Sequence, residues 1–150
     1  MPGRSASGDP WGELPLLVDT SAWARADNVT IRDRWLAALL GDRLRLSPLI
    51  RIEILMGVRG GSEFDLLAER LGTIREAPLS ISVIRAAESA MRALAHRSAG
   101  AHRIPIVDYL VAAAAQQLGA AVIHYDNDYD TLSEVMEFES IWLAPAGSVA

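Results

Sequence analysis

Short apolar runs alternate along this chain with longer segments of helical periodicity, and that alternation restricts the fold more than any other feature. Pro15 to Asp19, Leu44 to Ser47, Ala120 to Tyr125 and Ser140 to Leu143 read as strands. Between them lie candidate helices over Ser21 to Arg25, Thr30 to Leu40, Pro48 to about Gly57, Ser62 to Leu71, Ile81 to His96, Pro105 to Leu118 and Asp128 to Val135. Pro78 to Ser80 reads as a connector or a short strand, and the inner face of the Ile81 helix as Ile84, Ala87, Met91 and Leu94. Strands too short and too apolar for a half-exposed sheet, each followed by a helix, predict an α/β fold with a central parallel sheet covered on both faces. Ligands in such sheets bind beyond the carboxyl ends of the strands, where the strand order reverses.

Four acids break this apolar pattern. Asp19 ends the run Leu16-Leu17-Val18, and Asp126 follows Ala121 to Tyr125. Glu53 lies inside Leu49 to Met56, and Asp108 inside Ile104 to Val111. Ionised carboxylates are seldom buried unless something compensates their charge. Asp19 and Asp126 stand at predicted strand ends, while Glu53 and Asp108 fall on inward helix faces, so all four can converge on one pocket. Pro105 places Asp108 in the first helical turn, where the helix dipole favours a carboxylate. Oxygen ligands from several elements are what Mg²⁺ or Mn²⁺ requires.

Each acid also has a purely structural reading: Asp19 as a turn cap, Glu53 as the partner of an arginine, Asp108 as a dipole partner and Asp126 as a turn residue. Asp126, Asp128, Asp130 and Glu137 match positions 1, 3, 5 and 12 of a calcium-binding loop. Thr131 occupies the place where that loop needs glycine, and the segment before it is strand-like, which argues against the loop.

Composition excludes other chemistries. The chain has 150 residues, 51% of them hydrophobic, which is enough for one domain with a substantial core. There is no cysteine, hence no disulfide framework, thiolate metal site or cysteine nucleophile. All fourteen basic residues are arginine, which removes P-loop, phosphoaspartate-receiver and dehalogenase-like sites, each of which uses a lysine. Either a codon bias toward arginine or a need for phosphate-binding forks would account for that preference. The net charge of −5 lacks the usual nucleic-acid footprint, although metal would neutralise several of the acids. No stretch approaches a membrane span, and residues 1–13 read as a disordered tail ahead of a domain over residues 14–145. A soluble cytoplasmic protein is the expectation.

Val18-Asp19-Thr20-Ser21-Ala22-Trp23, Arg51-Ile52-Glu53-Ile54-Leu55-Met56-Gly57, Ile104 to Ala113 and His124-Tyr125-Asp126-Asn127-Asp128-Tyr129-Asp130 together resemble the PIN-domain ribonucleases, and within them the VapC toxins of toxin–antitoxin pairs. The resemblance runs from about Leu16 to Leu143. It implies a three-layer α/β/α domain and a Mg²⁺- or Mn²⁺-dependent endoribonuclease leaving 5′-phosphate and 3′-hydroxyl ends. By motif it makes Asp19, Glu53, Asp108 and Asp126 the catalytic acids, with Asp19, Asp108, Asp126 and Asp128 on the metal. Thr20 or Ser21 matches a hydroxyl position that helps hold the metal's water, and Tyr129 stands where phenylalanine is more usual. RNA as substrate, a cognate antitoxin protein and a homodimer are the implied partners. An RNA-processing nuclease outside toxin–antitoxin systems and a non-catalytic binding module are the alternatives. Arg25, Arg97 and Arg103 are candidate phosphate contacts or plain surface residues, Trp23 and Trp35 read as core, and His96, His102 and His124 as non-catalytic.

Overall fold

A computed structural model describes residues 8–150 of the protein. Five strands form one sheet: β1 (Leu16–Val18), β2 (Leu44–Leu46), β3 (Arg75–Glu76), β4 (Ala121–His124) and β5 (Glu139–Trp142). Their order is β3-β2-β1-β4-β5, and every pairing is parallel. The helices are α1 (Thr20–Trp23), α2 (Arg32–Leu40), α3 (Pro48–Met56), α4 (Gly61–Leu71), α5 (Ile81–Arg97), α6 (Ile106–Leu118) and α7 (Asp128–Ser133).

The alternation of strand side chains divides the core in two. Leu17 and Val122 face a cluster built with Ile50, Leu71, Leu94, Tyr109 and Leu132, drawn from α3 to α7. Leu16, Val18, Ala121 and Ile123 face the other side, where Ala22, Trp35 and Ala38 from α1 and α2 cover them. The sheet is therefore sandwiched between helical layers, as the expected α/β/α architecture requires. Strand order reverses at β1 and β4, so the crevice between their carboxyl ends is the switch point.

Local chemistry explains most boundaries. Ser47 caps α3 by accepting from Leu49 N, with Pro48 at the first helical position, and Ser80 caps α5 through Val83 N. Gly119 ends α6 in the left-handed conformation at φ 64°, which glycine adopts without a side-chain penalty.

Pro78 to Ser80 is a connector, one of its two expected readings. The strand before it, Arg75–Glu76, was not expected; both of its residues are exposed on an edge strand and carry no apolar signal. Other expectations need correction. The buried face of α5 is Val83, Ala87, Ala90 and Leu94, while Ile84 is 45% exposed. Ile84 and Val83 satisfy nearly the same helical spacing, and it is Val83 that enters the buried cluster. The expected tail extends too far: residues 1–7 lie outside the described residues, but Trp11 is fully buried and its indole N–H donates to Leu143 O at 3.1 Å. Trp11 meets Trp35 edge to face at 6.3 Å, so the described core reaches back before residue 14. At the other end Val149 donates its N–H to the Tyr125 hydroxyl at 3.1 Å, beyond the expected limit at 145. Among the described residues no helix is long and apolar enough to cross a membrane.

Candidate metal centre

Asp19 is the first residue after β1 and the N-cap of α1. Its Oδ2 accepts from Ser21 N at 2.9 Å and from the Ser21 hydroxyl, so the turn-cap reading of Asp19 holds. Oδ1 has a different role. It accepts from the Tyr129 hydroxyl at 2.7 Å, and that same hydroxyl lies 3.5 Å from Asp108 Oδ1. Ser21 Oγ in turn accepts from Tyr125 N at 2.9 Å, tying the end of β1 to the end of β4.

Asp108 sits in the first turn of α6 and is 8% exposed. Its Oδ2 is buried without a hydrogen-bond partner. Asp126 and Asp128 are half-buried in the turn after β4, where Asp128 N donates to Asp126 Oδ1 at 2.9 Å. Asp108, Asp126 and Asp128 each offer a carboxylate oxygen within 4.8 Å of the others'. Asp19 is not in that set of three. It borders the set through the shared Tyr129 hydroxyl. Glu53 accepts from Thr20 Oγ1 at 2.6 Å, so its partner is a threonine and not an arginine.

The electrostatics follow from this crowding. Burial, followed by repulsion from Asp19, Asp126, Asp128 and Glu53, pushes the Asp108 carboxyl up to about 7. Burial and Asp126 also raise Asp128. The Tyr129 phenol, raised well above its usual range by burial and by Asp19 and Asp108, stays protonated and donates. His124 is fully buried, and desolvation lowers its imidazole to about 4 against the opposing pull of Asp130, Asp19 and Asp126. It is neutral at physiological pH.

Three converging carboxylates and a buried oxygen with no donor match the requirements of a hard divalent cation. Neutralising one cation suits this donor set better than any protein group nearby: the ion pairs among the described residues involve Asp9, Asp42 and Glu134, none of them in the cluster. A cleft of about 730 Å³ runs along β5 beside Trp142 and Asp130, and none of the clustered acids lines it. The acids sit at the switch point and not in that cleft.

The arginines proposed from sequence separate. Arg25 stacks on the Tyr125 ring at 4.3 Å and donates through Nη1 to Ser21 O at 2.9 Å, placing a guanidinium beside the turns that carry Asp19 and Asp126. Arg97 pairs with Glu134 on the surface. Trp35 is core, and Trp23 packs partly buried against it. Sequence reasoning passed over Tyr129 as a donor and His124, Ser140 and Asp130 as a connected group. The only signal available was the density of polar residues in His124 to Asp130 after a fully buried strand.

The match to the PIN-domain family covers residues 16–135. Ribonuclease VapC18 of Mycobacterium tuberculosis is 35% identical over 133 residues, covering 88% of this chain and 97% of that protein. Ribonuclease VapC51 of the same organism is 29% identical over 136 residues, 91% of this chain and 98% of its own. The fold is also that of the toxin–antitoxin protein VapBC of Salmonella typhimurium, solved bound to DNA: the TM-score is 0.68 at 14% identity, over 88% of this chain and all of that one. The chain belongs to the PIN-domain family and, within it, to the VapC-type proteins.

Proposed function

We propose that this protein is the toxin of a type II toxin–antitoxin pair and acts as a divalent-metal-dependent endoribonuclease in the cytoplasm. The observation that carries the reading is the cluster of Asp108, Asp126 and Asp128, together with the buried, unpartnered Oδ2 of Asp108. The 35% identity to Ribonuclease VapC18 supports RNA as substrate, and the VapBC likeness supports a cognate antitoxin as partner.

Asp108, Asp126 and Asp128 would hold Mg²⁺ or Mn²⁺, with Asp19 completing the set. When bound, such an ion supplies charge neutralisation at the scissile phosphate and acidity for a nearby water. The protein's own residues do the remaining work. Tyr129 donates to Asp19 Oδ1 and keeps that carboxylate turned toward Asp108. Glu53, fixed by Thr20, orients the attacking water and takes its proton. The water oxygen would bond to phosphorus as the bond to the 3′ oxygen breaks, and the departing 3′ oxygen would take a proton from solvent, leaving a 5′-phosphate and a 3′-hydroxyl. Arg25, held over the Tyr125 ring, is positioned to meet a neighbouring phosphate of the RNA.

The test is RNA cleavage with mapped ends. Wild type should cut with Mg²⁺ or Mn²⁺ and leave 5′-phosphates, and Asp108→Asn or EDTA should abolish cutting. Undiminished cleavage in either case rejects the reading. A co-expressed antitoxin that rescues growth separates the toxin from an RNA-processing nuclease of the same fold.

A further inference from the structure

The turn that carries Asp126 and Asp128 is held from behind by a single file of hydrogen bonds leading away from the acids. Asp126 N donates to His124 Nδ1 at 3.1 Å. His124 Nε2 lies 2.7 Å from Ser140 Oγ on β5. Ser140 Oγ donates to Asp130 Oδ1 at 2.7 Å, and Trp142 Nε1 donates to Asp130 Oδ2 at 2.9 Å. The His124 ring also packs 4.9 Å from the ring of Tyr129, whose hydroxyl serves Asp19.

The protons in this file have one consistent arrangement. An ionised carboxylate only accepts, and indole and backbone N–H groups only donate. Asp130 accepts at both oxygens, so the single Ser140 proton points to Asp130 and a Ser140 lone pair faces His124. Nε2 must then carry the imidazole hydrogen, which leaves Nδ1 bare. A bare Nδ1 is what the Asp126 N–H requires from the opposite end. The two ends of the chain demand the same tautomer independently.

We propose that Asp130, acting through Ser140, and the Asp126 N–H together hold His124 in its Nε2–H tautomer, and that this tautomer fixes the backbone turn presenting Asp126 and Asp128 to the metal. Asp130, Ser140 and His124 are positioning residues, not catalytic ones. A carbonyl would accept the Asp126 N–H whatever its surroundings. An imidazole does so in one tautomer only, so the geometry of the acidic turn depends on proton order two bonds away. The metal half of this inference rests on the function proposed above, whereas the tautomer half stands by itself.

Reversing the polarity of the file tests it. In Asp130→Asn, Trp142 Nε1–H still claims the oxygen, so the new amide nitrogen faces Ser140. Ser140 then accepts there and turns its proton to His124 Nε2, and His124 carries its hydrogen on Nδ1, donor against donor with Asp126 N–H. Ser140→Ala removes more hydrogen bonds but leaves the tautomer to Asp126 alone, which selects Nε2–H. The double variant lacks the Asp130 charge yet also lacks the relay that imposes the wrong polarity.

Long-range ¹H–¹⁵N spectra of the metal-free proteins read the tautomer, amide hydrogen exchange reads the Asp126 N–H, and calorimetric titration reads Mn²⁺ affinity. Wild type, Ser140→Ala and the double variant should show Nε2–H and a protected Asp126 amide. Asp130→Asn should show Nδ1–H, lose that protection and bind Mn²⁺ about 10- to 100-fold more weakly, the usual range for an outer-shell partner of a metal ligand. The double variant should bind Mn²⁺ more tightly than Asp130→Asn. An Nδ1–H tautomer in wild type, an unchanged tautomer in Asp130→Asn, or a double variant no tighter than the single one would overturn the inference. Wild type without any Mn²⁺ response overturns the metal reading instead, and the spectra and exchange rates still decide the relay.

Discussion

Replacing Asp108 by asparagine should stabilise the metal-free protein, although the change removes an acid from the centre of its proposed active site. In the folded chain the Asp108 carboxyl is raised from 3.8 to about 7, first by burial and then by Asp19, Asp126, Asp128 and Glu53. Between those two values the unfolded chain releases a proton that the folded chain keeps. The unfolded state therefore binds fewer protons, and unfolding free energy falls as pH rises. The contribution is intact below the unfolded value and lost by the time pH passes the folded one. A displacement of about three units corresponds to at most about 4 kcal/mol. Asp126 and Asp128 are half-buried, so water screens part of their repulsion, and about 2 to 4 kcal/mol is the expected range. For a chain of this size that is a melting difference of about 4 to 16 °C. Melts of wild type and Asp108→Asn in EDTA, between about pH 4 and about pH 8, should coincide at the acid end and diverge upward, with the variant more stable. Millimolar Mn²⁺ should then raise the melting temperature of wild type and leave the variant nearly unmoved, because only the former binds the ion in its folded state. An Asp108→Asn protein no more stable than wild type at the alkaline end in EDTA would show that the Asp108 charge is already compensated, and the case for a cation would fall with it.

Tyr129→Phe removes the O–H that donates to Asp19 Oδ1 and should cost about 1.5 to 3 kcal/mol in a urea melt, as for a hydrogen bond to a charged group; an unchanged midpoint would show that this phenol does not compensate the acids. Thr20→Val, nearly isosteric, frees Glu53 and should lower kcat about tenfold while shifting stability by less than about 1 kcal/mol; a large loss of stability with kcat intact would make Thr20 a packing residue. Trp11→Ala should destabilise the domain by about 3 to 5 kcal/mol, read by urea denaturation, and a loss below about 1 kcal/mol would return residue 11 to a dispensable tail.

How far the sequence led can be judged from these same residues. The strands β1 and β4 were legible because both are buried on both faces and so are written as unbroken apolar runs. Asp19, Asp108 and Asp126 stood out for the complementary reason: a charge within or just beyond an apolar run is conspicuous. Arg75–Glu76 did not, because an exposed edge strand needs only backbone partners and leaves no side-chain pattern. Trp11 was missed because its burial depends on Leu143 and Trp35, contacts that local composition cannot reveal. Tyr129 is the most instructive case. Read along the chain it is one aromatic replacing another, since both rings fill the same space under β4. Folded, its hydroxyl lands between Asp19 and Asp108 and supplies a proton where those two carboxylates face each other. The His124 to Asp130 segment behaves alike: each side chain is unremarkable alone, and its role depends on which partner β5 brings opposite it. Sequence thus exposes where charge is buried, because burial is written in apolar neighbours. It hides how that charge is tolerated in the absence of metal, because the compensating donors come from elements distant along the chain.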